Sequence, residues 1–235
     1  QGTYASEGDS TVGMCTPLVN LDHALNYIES SPEFSQYKLY LFGHSWGGFA
    51  ATSVLSLHKS VCGCAAVAPF NSGYTLIAEK GAQYAGPSAD TLAGGFPKQF
   101  LDSYQAMLFK DYTKLDAVKG INSTDIPVFI AHGTQDLVIS FHHQSVISHR
   151  YEIRQNNVTY YIGTDAHAGH NTILHSERAV AYQKQVEKEL KLLKKALDRE
   201  LTPEEKADFC RQVNHALYSE VNPDLMQAIV DMFNQ

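Results

Sequence analysis

The 235-residue chain is 44% apolar and 18% charged, with a formal net charge of −7. This length and apolar share support one substantial core and exclude disordered, collagen-like and repeat classes. An acidic surface repels phosphate backbones and anionic lipid, and no apolar run reaches membrane-spanning length. Neither nucleic acid nor a membrane is therefore an expected partner.

After a Gly/Ser/Thr-rich opening, Leu18, Leu21, Ala24, Leu25 and Ile28 recur at helical spacing within Thr16–Ser30. Thr16 followed by Pro17 reads as an N-cap and an N1 proline. Tyr37–Phe42 is strand-like, Gly43–Gly48 turns sharply, and Phe49–Leu57 reads as a buried helix of small residues. Val61–Ala68, Ile126–Ala131 and Val158–Ile162 read as three further strands. Continuous apolar strands alternating with helices predict an α/β fold, a mostly parallel sheet flanked by helices. The segment between the second and third strands, 71–125, is too long for an ordinary crossover. It carries Tyr74, Tyr84, Phe96, Phe100, Tyr104, Met107, Phe109 and Tyr112, and Lys98–Val118 has a helical pattern. It reads either as a cap over a pocket or as an extra packing layer, and its position relative to the site favours the cap. Near the end, Val186, Leu190, Leu193 and Leu197 make a helical stripe. Thr202-Pro203-Glu204-Glu205 reads as a capping box, and Asn222-Pro223 opens a last helix carrying Leu225, Met226, Ile229, Val230 and Phe233. The expected organisation is a core in 1–70 and 126–198, a cap in 71–125 and a helical extension in 199–235. The helical stripes predict packing onto the body of the protein, with a homo-oligomer through the C-terminal helices as the alternative.

The four cysteines Cys15, Cys62, Cys64 and Cys210 make no disulfide framework and fit a reducing cytoplasm, the expected location. Cys62-x-Cys64 has no second pair at zinc spacing, and His142 and His143 have no recurring carboxylate or cysteine partners, so no metal is assigned. The sequons at Asn122 and Asn157 are what chance supplies.

Gly43-His44-Ser45-Trp46-Gly47 matches G-x-S-x-G between a strand and a helix of small residues. A serine at such a turn holds its hydroxyl clear of the sheet, and the helix N-terminus adds positive potential where an oxyanion would form. Glycines on either side of the serine let neighbouring elements approach. A tight turn with an incidental serine is the bland alternative. A hydroxyl nucleophile needs a base, and the base needs an orienting acid. The third strand runs into His132-Gly133-Thr134-Gln135-Asp136, placing Asp136 on the same rim as Ser45. The fourth leads to His167 and His170 on that rim. His170 is the better placed, because Gly169 precedes it and a helix follows. His44 is expected to pack below the nucleophile, and His132 to be a buried neighbour of the acid loop.

GHSWGG, HGTQD and AGH, in the order Ser…Asp…His, resemble the motif set of α/β-hydrolase esterases and serine aminopeptidase-like enzymes over about Gln1–Val186. The resemblance implies a Ser45–His170–Asp136 triad, a Trp46 backbone amide in the oxyanion hole, and no cofactor. It implies hydrolysis of small to medium acyl esters, with His44, Tyr74, Phe100 and Tyr104 at the substrate. A peptidase or amidase of the same fold, or an inactive binding protein on this scaffold, is the alternative. Gln1–Gly8 resembles the G-x-G-x-S-x-G loop after the fourth strand of the family, with Tyr4 in place of a glycine. On that reading the N-terminal strands and the second oxyanion donor, worth roughly 3–4 kcal/mol of transition-state stabilisation, belong to a further part of the same hydrolase, and this part is an expected partner.

Overall fold

The computed structural model describes residues 5–8, 13–77, 91–92, 96–154 and 156–234, with the backbone alone at 91–92 and 96–102. Helix α1 (Thr16–Ser30) precedes strand β1 (Leu39–His44), helix α2 (Trp46–Ser53) and strand β2 (Val61–Val67). A short antiparallel pair follows, β3 (Thr91–Leu92) with β4 (Phe96–Pro97), then α3 (Lys98–Phe109) and α4 (Ala117–Asn122). Strands β5 (Val128–Gly133) and β6 (Val158–Gly163) complete the sheet, and α5 (Glu177–Leu197), α6 (Pro203–Gln212), α7 (His215–Tyr218) and α8 (Pro223–Phe233) close the chain. The main sheet has the order β1-β2-β5-β6, and every neighbouring pair is parallel.

Both faces of the central strands β2 and β5 are covered, which is why they are continuously apolar rather than alternating, whereas β6 at the edge keeps Tyr160 and Ile162 exposed. Leu41, Cys64, Ala66, Val128 and Ile130 point into one core with Leu18 and Leu25 of α1, Phe49 and Ala50 of α2, and Ala117 and Ile121 of α4. Ala65, Val67, Phe129 and Ala131 point into the other, where Leu225, Ile229 and Met232 of α8 meet them. The last helix, placed by its sequence in an extension, thus supplies the cover of the second face. Each such side chain contributes about 1.5–3 kcal/mol by leaving water. Its start is fixed as expected: Pro223 sits in the first turn, and Asn222 Oδ1 accepts from the Leu225 amide at 3.2 Å.

Several local expectations change in the folded chain. The cap of α1 is Cys15, which makes no side-chain capping bond, and the buried Thr16 hydroxyl has no partner among the described residues, so Thr16 is not the cap. The helical pattern over Lys98–Val118 breaks in two. Lys110 takes φ 48, and Asp116 then caps a new helix by accepting from the Lys119 amide. That new helix, α4, lies against α2, where a Cβ on Gly120 would overlap the Thr52 carbonyl. The stripe on α5 buries Val186, whereas Leu193 is 36% and Leu197 38% exposed.

Away from the strand ends, α1 is tied to the chain after α2 by a polar cluster around the buried His58 and Asp22. His58 lies with Nε2 2.8 Å from Asp22 Oδ1 and Nδ1 2.9 Å from Glu29 Oε2. Tyr112 donates to Asp22 Oδ2, and Ser60 donates to Glu29. Burial acts to raise the Asp22 carboxyl, but the bonds from Tyr112 and His58 hold it below its ordinary value of 3.8. The Ser60 bond, then that of His58, hold Glu29 below 4.5. Depressed carboxylates stabilise the fold above those ordinary values and lose that contribution as pH falls past them. Thermal melting should therefore drop steeply below about pH 4.5. Asp22→Asn should lower the melting temperature at neutral pH and flatten that acid limb, which melts at a series of pH values would read.

Candidate active site

The C-terminal ends of the parallel strands form one rim, where ligands bind in such sheets. β1 ends at His44, and Ser45 follows with φ 55 and ψ −114, in the left-handed half of backbone space that L residues avoid. Ala68 (φ 48) and Asp165 (φ 52) take the same unfavourable sign just beyond β2 and β6. Strain concentrated on one rim is a mark of a functional edge. Only glycine fits at position 43, because a Cβ there would overlap the Gly47 carbonyl. Position 47 differs: a Cβ there would meet nothing within 4 Å, so its side of the motif is not sterically required. The second close approach is at Gly48, whose Cβ would lie 3.2 Å from that of Pro69.

The acid loop after β5 and the loop after β6 are laced together. Thr134 donates to the Gly163 carbonyl at 2.9 Å and Gln135 to that of Ala168 at 2.8 Å. A Cβ on Gly133 would overlap the Ala168 carbonyl, so this glycine lets the loop lie directly on the strand end. This lacing brings His170 Nδ1 to 2.7 Å from Asp136 Oδ2 and His170 Nε2 to 2.8 Å from Ser45 Oγ. With the carboxylate ionised, Nδ1–H donates to Asp136, leaving Nε2 to accept the serine proton. His167, the other histidine of the loop, turns away: its Nδ1 lies 3.4 Å from the Thr172 carbonyl.

The Asp136 side chain is fully buried. Its Oδ1 accepts from the amides of Val138 and Ile139, each at 2.8 Å. Burial pushes its pKa up, but bonds from His132, His170 and the Ile139 backbone outweigh it and hold the carboxyl well below the usual carboxylate range. His44 lies against His170. Its Nε2 is 3.0 Å from the His170 carbonyl oxygen, and the two rings are 4.8 Å apart. Burial holds its pKa down, and the neutral ring can still donate from Nε2. His44→Ala should cost roughly 10- to 100-fold in kcat, because His170 loses a main-chain anchor. KM should change little, and steady-state kinetics on a short-chain ester would show the split.

The Trp46 amide is the first N–H of α2, one of those that a helix leaves without an internal acceptor. Its indole donates to the Met14 carbonyl at 2.7 Å. Met14 in turn borders a cavity of about 340 Å³ lined also by Phe49, Tyr74 and Gln105. Tyr104 is 40% exposed on α3. Phe100 lies in the first turn of that helix, and its side chain is outside the described residues. Of Gln1–Gly8, only positions 5–8 are described. The Asp22–His58–Glu29 cluster was not foreseen, because its members lie far apart in sequence and match no motif.

The family model of prolyl oligopeptidases matches residues 22–200. The chain belongs to the prolyl oligopeptidase family. The match takes in Ser45, Asp136 and His170, and with the parallel sheet it establishes an α/β-hydrolase type of fold. No curated protein matches the chain. Among solved structures, an esterase from Pyrococcus furiosus is 16% identical, with a TM-score of 0.48, covering 82% of this chain and 66% of its own. Acetyl xylan esterase 1 from Thermoanaerobacterium is 17% identical, with a TM-score of 0.46, covering 73% of this chain and 56% of its own. An acylaminoacyl peptidase from Pyrococcus horikoshii is 14% identical, with a TM-score of 0.43, covering 68% of this chain and 25% of its own. The prolyl oligopeptidase family member described here thus spans two thirds or less of these structures. Among its described residues, no helix is long and apolar enough to cross a membrane.

Proposed function

We propose that the protein is a serine hydrolase that cleaves carboxylic esters of small to medium acyl chains through Ser45, His170 and Asp136. The observation that carries this reading is the unbroken relay of 2.8 Å from Ser45 Oγ to His170 Nε2 and 2.7 Å from His170 Nδ1 to Asp136. Ser45 Oγ attacks the carbonyl carbon as its proton passes to His170 Nε2. The carbon–oxygen bond to the leaving group breaks, and that alkoxide takes the proton from His170. Water, deprotonated by the same nitrogen, then releases the acid and restores Ser45. Asp136 orients the ring and stabilises its cation. The Trp46 amide donates to the oxyanion, aided by the positive end of α2.

A cavity of about 510 Å³ lined by His170, with Gln135, Val138 and Gly169, lies within the range of small-molecule sites, whereas the lining of the one beside Phe49 takes in none of the three reacting residues. Four free cysteines fit a cytoplasmic setting. Membership of a family described by a peptidase favours a second reading, cleavage of short peptides at the same serine. A panel of p-nitrophenyl esters of increasing chain length, run beside aminoacyl-anilides, tests both. The ester reading expects the higher kcat/KM on short and medium esters. Faster turnover of the anilides would replace it with the peptidase reading, and no turnover of either would leave only a binding role.

A further inference from the structure

Asp136 is held by more donors than are needed to orient one histidine. Its Oδ1 takes two backbone amides, and its Oδ2 lies 2.7 Å from His170 Nδ1 and 3.1 Å from His132 Nε2. His132 is the last but one residue of β5, four before the acid, and is wholly buried. Its Nε2 is also 3.0 Å from the Ile139 carbonyl oxygen. Both neighbours of Nε2 are acceptors, so this nitrogen carries a hydrogen, which it donates to the Ile139 carbonyl with Asp136 Oδ2 alongside. Nδ1 is buried without a partner among the described residues, so a proton there would have no acceptor. The ring is therefore the neutral Nε2–H tautomer, with its position fixed edge-on to Phe141 at 6.0 Å between ring centres.

We propose that His132 is a positioning residue that shares Asp136 Oδ2 with His170 and thereby sets how strongly the acid stabilises protonated His170. The proposal rests on the reading of Ser45, His170 and Asp136 as the reacting set. A donor fixed on the same oxygen draws off part of the charge that His170 would otherwise meet. The attraction between carboxylate and imidazolium is thereby weakened. Among the described residues, the other titratable group against this pair is His44, which meets the His170 ring and carbonyl and does not bond Asp136.

The first arm of the test reads the ring itself, by ¹⁵N histidine spectra of the wild-type chain between pH 6 and 8. A protonated Nε2 with a bare Nδ1 is expected at His132. A protonated Nδ1 would overturn the proposal. The second arm compares pH profiles of kcat/KM on a p-nitrophenyl ester. His132→Leu should move the acid limb upward by roughly 0.5–1 pH unit. His132→Gln, whose side-chain amide nitrogen takes the place of Nε2, should leave it in place. An unmoved limb in His132→Leu, with only a lower rate, would mean a purely structural role and overturn the proposal, as would an equal shift in His132→Gln. If His132→Leu does not fold, the isosteric His132→Phe takes its place, and the ring spectrum stands by itself. Full activity in Ser45→Ala would instead overturn the reading of the reacting set, leaving the spectrum of His132 unaffected.

Discussion

Ser45→Ala should reduce ester hydrolysis by about 10⁴- to 10⁶-fold while leaving the fold intact. The hydroxyl is the group 2.8 Å from His170 Nε2. Without it, no residue in the relay can form the acyl intermediate. Ser45 takes φ 55 at the strand-to-helix turn, and alanine there carries the same Cβ penalty as serine, so neither gain nor loss of backbone strain should confuse the result. Near-native melting together with loss of turnover is the expected pair of observations. Stopped or burst kinetics on a p-nitrophenyl ester, with melting measured alongside, would check both.

Asp136→Asn should be nearly as damaging to activity, at about 10⁴-fold, and should also destabilise the protein. The carboxylate accepts on both oxygens, two amides at Oδ1 and His170 at Oδ2, with His132 Nε2 3.1 Å from that second oxygen. An asparagine must turn its NH₂ toward one of those pairs of donors. Facing the histidines, it forces His170 into the tautomer with a bare Nδ1, so that Nε2 carries a hydrogen and can no longer accept from Ser45. Facing the loop, it sets N–H against the Val138 and Ile139 amides and unpicks the turn. Either arrangement leaves buried donors without acceptors, at about 1–3 kcal/mol each. The lost charge also removes a carboxyl held well below the usual range, whose stabilisation is present above the unfolded value and lost as pH falls through the folded one. Asp136→Asn should therefore show a lower melting temperature at neutral pH and a smaller fall on acidification. Kinetics and melting on the same preparation separate the two effects.

The sheet and the rim were legible because their signals are local. The apolar runs around β2 and β5 mark buried parallel strands, and Ser45, Asp136 and His170 each lie in the turn or loop after a strand. The structure brings these three side chains together. What sequence could not reach depends on partners distant in the chain. His58 meets Asp22 and Glu29 through three-dimensional packing, with no spacing to betray it. The break at Lys110 came from tertiary demand: α4 must turn onto α2, where Gly120 meets the Thr52 backbone. Periodicity alone reads the segment as one helix because both halves are amphipathic. Likewise, the stripe on α8 announced a buried face, but only the fold shows that it closes the second face of the sheet. Gly47 illustrates the opposite limit, since a motif glycine proved to have open space where a Cβ would stand. The sharing of Asp136 by two histidines is partly local, as His132 precedes the acid by four residues at the end of β5. The orphaned Nδ1 that fixes its tautomer is visible only in the packed core.

The central claim is that Ser45 is a nucleophile activated by His170. Treating the intact chain with a fluorophosphonate and mapping the adduct by peptide mass tests it most directly. One adduct on the peptide containing Ser45, lost in Ser45→Ala and strongly slowed in His170→Ala, is the expected result. A chain that takes no label, or carries it on another residue, would contradict it.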